Sequence, residues 1–337
     1  MKKILLAAVT VIAVFLFLII INYLTIPFDD GKEIAQKAGI PYPAVIAHRG
    51  ASGIAPESTA VAYELARDIG ADYFEADLQR TADGVIIVFH DDSPARTTNA
   101  AEIFPGREND FIGSFTYEEL IRLDTGSWFN ESFPRKAQDE FVGLQIITLN
   151  QLIDIAEAGN NNPGLYLETK SAPRYTGIEE DIVRILAERG WLPHKPTIQP
   201  PDREINALNG VRTVNTAMGT SRLIFQSFHP ESLRQFRELT PESPRVLLVN
   251  FKRIRENGWN ETITLASELG NGIGSAGYLT FPWVVRAAHG KDLIVHPYTI
   301  NNNFYLTLMW FFGTDGVFTD YPGRALDFFR PHSLNKF

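Results

Sequence analysis

The sequence predicts an α/β fold, a (β/α)8 TIM barrel, and three observations predict it. Short runs rich in Val, Ile, Leu and Phe recur along the chain and alternate with segments whose apolar residues fall at helical spacing. Residue types that do chemistry stand at the carboxyl ends of those runs, where parallel barrels keep their functional groups. No G-x-G-x-x-G or G-x-x-x-x-G-K-[ST] loop follows a strand, so the open, doubly wound rival lacks its usual phosphate loop.

The bulk properties agree. A chain of 337 residues accommodates one barrel of about 250 residues with additions. A hydrophobic content of 45% permits a sizeable core, and 21% charged residues argue against global disorder. The formal net charge of -9 argues against nucleic acid or an anionic membrane surface as the general partner. An anionic substrate would need local positive charge. The chain has no cysteine, which excludes a disulfide, a thiol nucleophile, a Cys-ligated zinc and a lipoprotein anchor, and is neutral about compartment.

Lys2 and Lys3 precede an apolar run over residues 4–21, and no charge appears between Lys3 and Asp29. That is about the length needed to span a bilayer, long for a signal-peptide core, and no A-x-A-like cleavage site follows it. Residues 1–24 are therefore expected to form an uncleaved signal anchor, a transmembrane helix with its amino end in the cytoplasm. The remainder would lie outside, in a periplasmic or extracellular compartment, or be secreted if the segment is cleaved. Residues 25–43 read as linker, with one helical piece at 32–37, and residues 44–330 as the barrel.

The first strand, residues 44–47, ends in His48-Arg49-Gly50, and a helix follows over 58–69. The second strand, 73–78, carries Glu75 and Asp77, which share a face because side chains alternate along a strand. Asp83-Gly84 marks a turn into a third strand, 85–89, ending in His90-Asp91. Taken as parallel neighbours, these strands set the carboxylate pair beside His48 and His90 at one rim. Paired carboxylates suit a hard divalent cation. Two His that titrate near neutrality suit a general acid and a general base. Arg49 offers a planar fork for an anionic oxygen pair, typically phosphate.

His48-Arg49-Gly50, Pro56-Glu57-Ser58-Thr59, Glu75-x-Asp77 and His90-Asp91 resemble the glycerophosphodiester phosphodiesterase family, within the PLC-like phosphodiesterase superfamily. Each motif is weak alone; their order and spacing carry the resemblance, which extends over residues 44–322. It implies an insertion after the third strand, overhanging the site. Residues 99–141 are placed to match it, with Leu123-Asp124-Thr125-Gly126-Ser127-Trp128-Phe129 similar to the family's sequence there and a helical stretch at 117–123. Its aromatics, Phe111, Phe115, Trp128, Phe129 and Phe133, either pack the insertion on itself or wall the substrate. A helix over 148–158 follows.

The stretch 164–170, GLYLETK, matches the family's strand with the third metal carboxylate, Glu168, and a phosphate-facing Lys170. Alone, that pair would read as a surface salt bridge. With Glu75 and Asp77 it completes an oxygen site for one Ca²⁺ or Mg²⁺. Beyond it come helices at 175–189, 230–239, 263–270, 281–289 and 304–312. Strands are expected at 223–228, 245–250, 293–300 and 316–319, while 272–277 fits either a short strand or a turn. Residues 191–219 are turn-rich. Residues 315–322 resemble the family's closing motif, in which Asp320 is either a structural strand-end acid or a site member. Tyr298-Thr299 stands where the family usually has Trp-Thr; that Trp packs on the substrate's alcohol, so Tyr298 is the substrate-binding candidate, with His296 two residues earlier. Glu57 sits either in a helix's first turn or near metal or substrate. His194, His229 and His289 read as non-catalytic.

The resemblance implies metal-dependent hydrolysis of a glycerophosphodiester to glycerol 3-phosphate and an alcohol, with His48 as base, His90 as acid, and Arg49 and Lys170 on the phosphate. Two alternatives are a lysophospholipase D acting on membrane lysolipids and a barrel that binds phosphodiesters without cleaving them. No nucleic acid partner is expected.

Overall fold

The computed structural model describes residues 30–192 and 221–331, together with Thr10, Val14 and Phe17. Nine strands occur among them: β1 (Ala44–His48), β2 (Tyr73–Arg80), β3 (Ile86–Val88), β4 (Gly164–Thr169), β5 (Leu223–Ser227), β6 (Arg245–Val249), β7 (Gly272–Ser275), β8 (Ile294–Val295) and β9 (Gly316–Thr319). Eight run parallel in the order β8-β7-β6-β5-β4-β2-β1-β9. Helices in the intervening connections cover the outside, giving a nearly closed (β/α)8 barrel. No ladder joins β8 to β9, because Pro297 interrupts the strand and carries no donor. Three backbone hydrogen bonds bridge the gap: Asp315 N to Val295 O (3.0 Å), Phe318 N to Pro297 O (3.0 Å) and Ile300 N to Phe318 O (2.8 Å).

The predicted strand count holds, but its membership changes. Residues 85–89 were expected as a parallel barrel strand. Instead β3 pairs antiparallel with β2, Leu78 opposite Val88 and Arg80 opposite Ile86. The Asp83-Gly84 connection is the reason. A short turn reverses the chain, whereas a parallel neighbour needs a crossover of a dozen or more residues. The place goes to β7, GIGS, whose glycines hide it from strand propensity. They are there for space: a Cβ on Gly272 would lie 2.5 Å from Ile294 Cγ1. The insertion consequently follows the second barrel strand.

Several helices start at side-chain caps. Thr59 caps Ala60–Ile69, and Thr148 and Gln151 form a capping box at Leu149–Glu157. The helix expected at 263–270 begins much earlier, at Phe251, where Asn250 accepts from Arg253 N, and kinks at Gly258. Its first half is polar and exposed, so apolar periodicity misses it.

The barrel interior is filled by Ile46, Tyr73, Tyr166, Ile224, Val246, Ile294 and Phe318. Helix Asp30–Lys37 lies across the amino end of the strands and adds Ile34, with Ile40 after it, to the same cluster. In the insertion, Phe115 and Phe129 are buried, and Phe129 packs on Trp128, Phe133 and Phe141. For these rings the self-packing reading holds.

The expected anchor, residues 1–24, lies outside the described residues apart from Thr10, Val14 and Phe17, as do residues 193–219 of the turn-rich stretch 191–219. Among the described residues, no helix is long and apolar enough to cross a membrane.

Gly272→Val raises strand propensity yet should destabilise the protein by about 1–3 kcal/mol through overpacking. A lower urea midpoint with an unchanged m-value is the expected result.

Candidate active site

The site grows from the carboxyl ends of β1, β2 and β4. Register sets Glu75 opposite His48 and Glu168 opposite Asp77. Glu75, Asp77 and Glu168 are all buried, and one oxygen of each lies within 4.8 Å of the others. Immediately after β1 the chain turns through Arg49 (φ 56°) and Gly50 (φ 83°). Any side chain at Gly50 would strike the Ala62 backbone, 2.6 Å from its Cβ. The turn aims Arg49 N at Glu75 Oε2 (2.9 Å) and brings Arg49 Nε to 3.2 Å from Asp77 Oδ2. Lys170 Nζ stands 3.0 Å from Glu168 Oε1 and 3.6 Å from Asp77 Oδ1. Gln226 Nε2 donates to Glu75 Oε1 (3.2 Å).

Two cations do not fully compensate three buried carboxylates. Burial, and then Asp77, push the Glu75 carboxyl well above the usual range. Burial raises Glu168 to about 7, with Asp77 adding to the rise and Lys170 opposing it. Asp77 is held below its ordinary value, since Lys170 and Arg49 outweigh its burial. Asp77 Oδ2 is buried without a hydrogen-bond donor. Such a set fits one hard divalent cation, which takes oxygen ligands and supplies the missing charge.

The two histidines lie near this cluster, both close enough to act on Asp77, and each is held by a carboxylate. His48 donates Nδ1–H to Asp320 Oδ1 (2.7 Å), the direction required by an ionised carboxylate, which only accepts. Asp320 also accepts from Ser52 Oγ (3.1 Å) and Asn301 Nδ2 (2.6 Å). Burial, and then neighbouring Arg49, hold the His48 pKa below its ordinary value, against the pull of Asp320. His90 donates Nδ1–H to Asp91 Oδ1 (2.5 Å). Both rings thereby keep Nε2 for chemistry.

Arg96, which sequence reasoning passed over, joins the two halves. It donates to Asp91 through Nε (2.5 Å) and a terminal nitrogen (3.0 Å), and to both oxygens of Glu57 (2.6 and 3.0 Å). Glu57 accepts from Arg49 in turn (2.9 Å). Glu57 thus lies between two guanidiniums, and orients Arg49 rather than joining the carboxylate cluster. Burial opposes its charge, but Arg96 and Arg49 hold its pKa below the usual value. Nothing in the spacing of Arg96 marks it, since it sits in a loop where Arg is common. Asn301 and Ser52 were passed over for the same reason.

Tyr298 stands at the mouth with its ring edge toward Phe228 (centroids 6.1 Å), which also lies under Lys170 Nζ. Its hydroxyl is engaged, donating to Val249 O (3.0 Å). His296 is inside the barrel, fully buried, with Nδ1 and Tyr166 OH hydrogen-bonded to each other (3.3 Å); burial lowers its pKa to about 4. His289 bonds Asp315 at the opposite end of the barrel. His194 lies outside the described residues.

Residues 48–324 match the glycerophosphoryl diester phosphodiesterase family. The chain is 33% identical over 280 residues to the glycerophosphodiester phosphodiesterase of Bacillus subtilis strain 168, covering 82% of this chain and 83% of that one. It is 30% identical over 283 residues to the Bacillus altitudinis glycerophosphodiester phosphodiesterase, covering 84% and 96%. Among solved structures, an Oleispira antarctica phosphodiesterase in complex with the product sn-glycerol-3-phosphate aligns with a TM-score of 0.62 at 26% identity, over 85% of this chain and 96% of that one.

Ca²⁺ or Mg²⁺ should stabilise the fold, by about 2.7 kcal/mol when the ion is at 100 times its Kd. A thermal melt should rise with the ion and fall back on chelation. The double variant Glu75→Gln/Glu168→Gln should lose the response.

Proposed function

The chain belongs to the glycerophosphoryl diester phosphodiesterase family, whose members are phosphodiester hydrolases, and from that premise we propose that it converts glycerophosphodiesters to glycerol 3-phosphate and an alcohol. The observation that carries this reading is the pair of carboxylate-held imidazoles close to the buried carboxylate cluster, both near enough to act on Asp77. Glu75, Asp77 and Glu168 would hold one Ca²⁺ or Mg²⁺. When bound, the ion neutralises phosphoryl charge and makes phosphorus more electrophilic.

Arg49 and Lys170, ranged on the same carboxylates, would carry the remaining phosphoryl charge. The substrate's own hydroxyl, on the carbon next to the ester, attacks phosphorus while His48 Nε2 takes its proton. The bond to the leaving alcohol breaks as His90 Nε2–H protonates that oxygen, giving a free alcohol and a cyclic phosphodiester. Water then opens the ring with the roles reversed: His90 accepts the water proton and His48 returns one to the glycerol oxygen. A lowered His48 pKa supports the base assignment, because the ring is neutral near pH 7.

A lysolipid substrate is the second reading. Phe251, Tyr278 and Phe304 favour it: all three are exposed and follow the carboxyl ends of β6, β7 and β8, the mouth side of the barrel. We also read residues 1–24 as an uncleaved anchor that leaves the barrel outside the cytoplasm, on the strength of the apolar run and its basic flank.

Metal-dependent release of glycerol 3-phosphate from glycerophosphocholine is the expected result; binding without product over hours would sink the proposal. His48→Ala and His90→Ala should each lower kcat by about 10²–10⁴-fold on that substrate. A p-nitrophenyl ester of glycerol phosphate needs no acid for its leaving group. It should restore much of the rate of p-nitrophenol release to His90→Ala and none to His48→Ala, while opening of the cyclic diester, where His90 is the base, stays slow in His90→Ala. Arg96→Ala should cost about 10–100-fold in kcat/KM, the range for groups that orient site residues. Arg96→Lys should recover little, since an ammonium lacks the fork.

A further inference from the structure

We propose that Gln79 and Tyr175 form a buried clamp that holds the main chain on both sides of His90 and so sets where its imidazole meets the leaving oxygen. The inference deepens the proposed function and rests on its reading of His90 as the acid of the first step and the base of the second.

Gln79 stands two residues beyond Asp77, on the face of β2 that carries Glu75 and Asp77. It is fully buried. Its Nε2 donates to Phe89 O (3.0 Å) and to Asp91 O (2.7 Å), the carbonyls on either side of His90. Carbonyl oxygens only accept, so the amide nitrogen must face them and Oε1 is left for a donor. Tyr175 OH supplies that donor (3.0 Å). Burial raises the Tyr175 pKa, so the phenol keeps its proton. Both amide hydrogens and the amide oxygen are thereby engaged. A glutamate here would offer no hydrogen to either carbonyl, and an asparagine is one methylene shorter.

The clamp sits where the sheet gives out. Leu78 pairs with Val88, and one more backbone bond follows, Phe89 N to Asp77 O (2.9 Å). From there the Gln79 side chain takes over the work of the ladder. Asp91, itself held by Arg96, orients the His90 ring, but it belongs to the same loop and moves with it. Gln79 fixes that loop to a barrel strand instead. Tyr175 comes from the segment after β4 that begins with Lys170. Its ring is buried against Phe111 of the insertion (centroids 5.3 Å), with the Arg80 guanidinium 5.9 Å from its centre. In the same segment Ser171 Oγ donates to Asp92 Oδ1 (2.6 Å). The His90 loop is therefore tied at two points to the segment bearing Lys170. Proton transfer is sensitive to such placement, since an error of about 1 Å costs about 10²-fold in rate.

Gln79→Leu keeps the volume and removes all three bonds. On glycerophosphocholine it should lower kcat about 10–100-fold, the range for groups that orient site residues. Release of p-nitrophenol from the p-nitrophenyl ester of glycerol phosphate needs no acid and should stay within a few-fold of the parent. Opening of the cyclic diester should slow about as much as glycerophosphocholine turnover. Equal losses on the two esters would mark a general disturbance of the site and overturn the proposal, and so would unchanged rates on both. Tyr175→Phe removes a single buried hydroxyl and carries the same test if Gln79→Leu does not fold. The same split, several-fold in size, is expected, and its absence overturns the clamp. Hydrogen exchange gives a readout apart from activity. The Phe89 amide should exchange several-fold faster in either variant while the amides of β1 keep their protection, and parent-like protection at Phe89 overturns the clamp. A parent without diester hydrolysis, or a His90→Ala variant that the p-nitrophenyl ester does not rescue, would count against the proposed reaction, and exchange at Phe89 then decides the clamp by itself.

Discussion

Three carboxylates buried within 4.8 Å of one another are the constraint to which the surrounding structure responds. Like charges at that spacing in a poorly solvated rim are mutually unfavourable, and burial adds to the penalty. The chain answers with Arg49 and Lys170 at near-contact distances, a backbone N–H from a left-handed turn, and an amide from Gln226. The remaining imbalance is what a divalent cation would relieve. The cluster also explains the local backbone: Arg49 adopts a positive φ because only that turn directs both its N–H and its guanidinium inward.

The second organising feature is the way each imidazole is oriented. His48 is fixed by a carboxylate from the far end of the chain, His90 by the residue beside it. Arg96 and Glu57 then tie the His90 side to Arg49, so His90, the Arg49 guanidinium and the carboxylate cluster form one connected set of charges. Position within such a set is cooperative, since moving one group leaves another buried charge unpaired. The insertion does structural work here as well. Its aromatic packing around Phe129 sets Trp128 5.9 Å from the Arg96 guanidinium, adding a ring contact to the carboxylates that hold that side chain.

The two ends of the barrel are therefore different in kind. The mouth holds charge, hydrogen-bond networks and exposed rings. The floor is closed by helix Asp30–Lys37 and by the apolar interior around Tyr166 and Phe318. Even His296, polar and titratable, is kept neutral in that interior. Chemistry and structural closure are thus separated along the barrel axis.

Much of the site was legible in the sequence because its signals are local. A spacing of two puts Glu75 with Asp77, and Glu168 with Lys170, on one face of a strand whatever surrounds them, and apolar runs ending in His48 and His90 mark strand ends. Thr59 and Thr148 announce their helices for the same reason, as a cap acts within one turn. Tertiary structure decided what depends on closure. It turned residues 86–88 back along β2 and admitted glycine-rich β7, whose identity lies in the space left by Ile294. It brought Asp320 to His48 across 272 residues, put Arg96 between Asp91 and Glu57, and spent the Tyr298 hydroxyl on a backbone carbonyl. These are contacts between segments far apart in the chain or among loops, and no periodicity in a single segment encodes them.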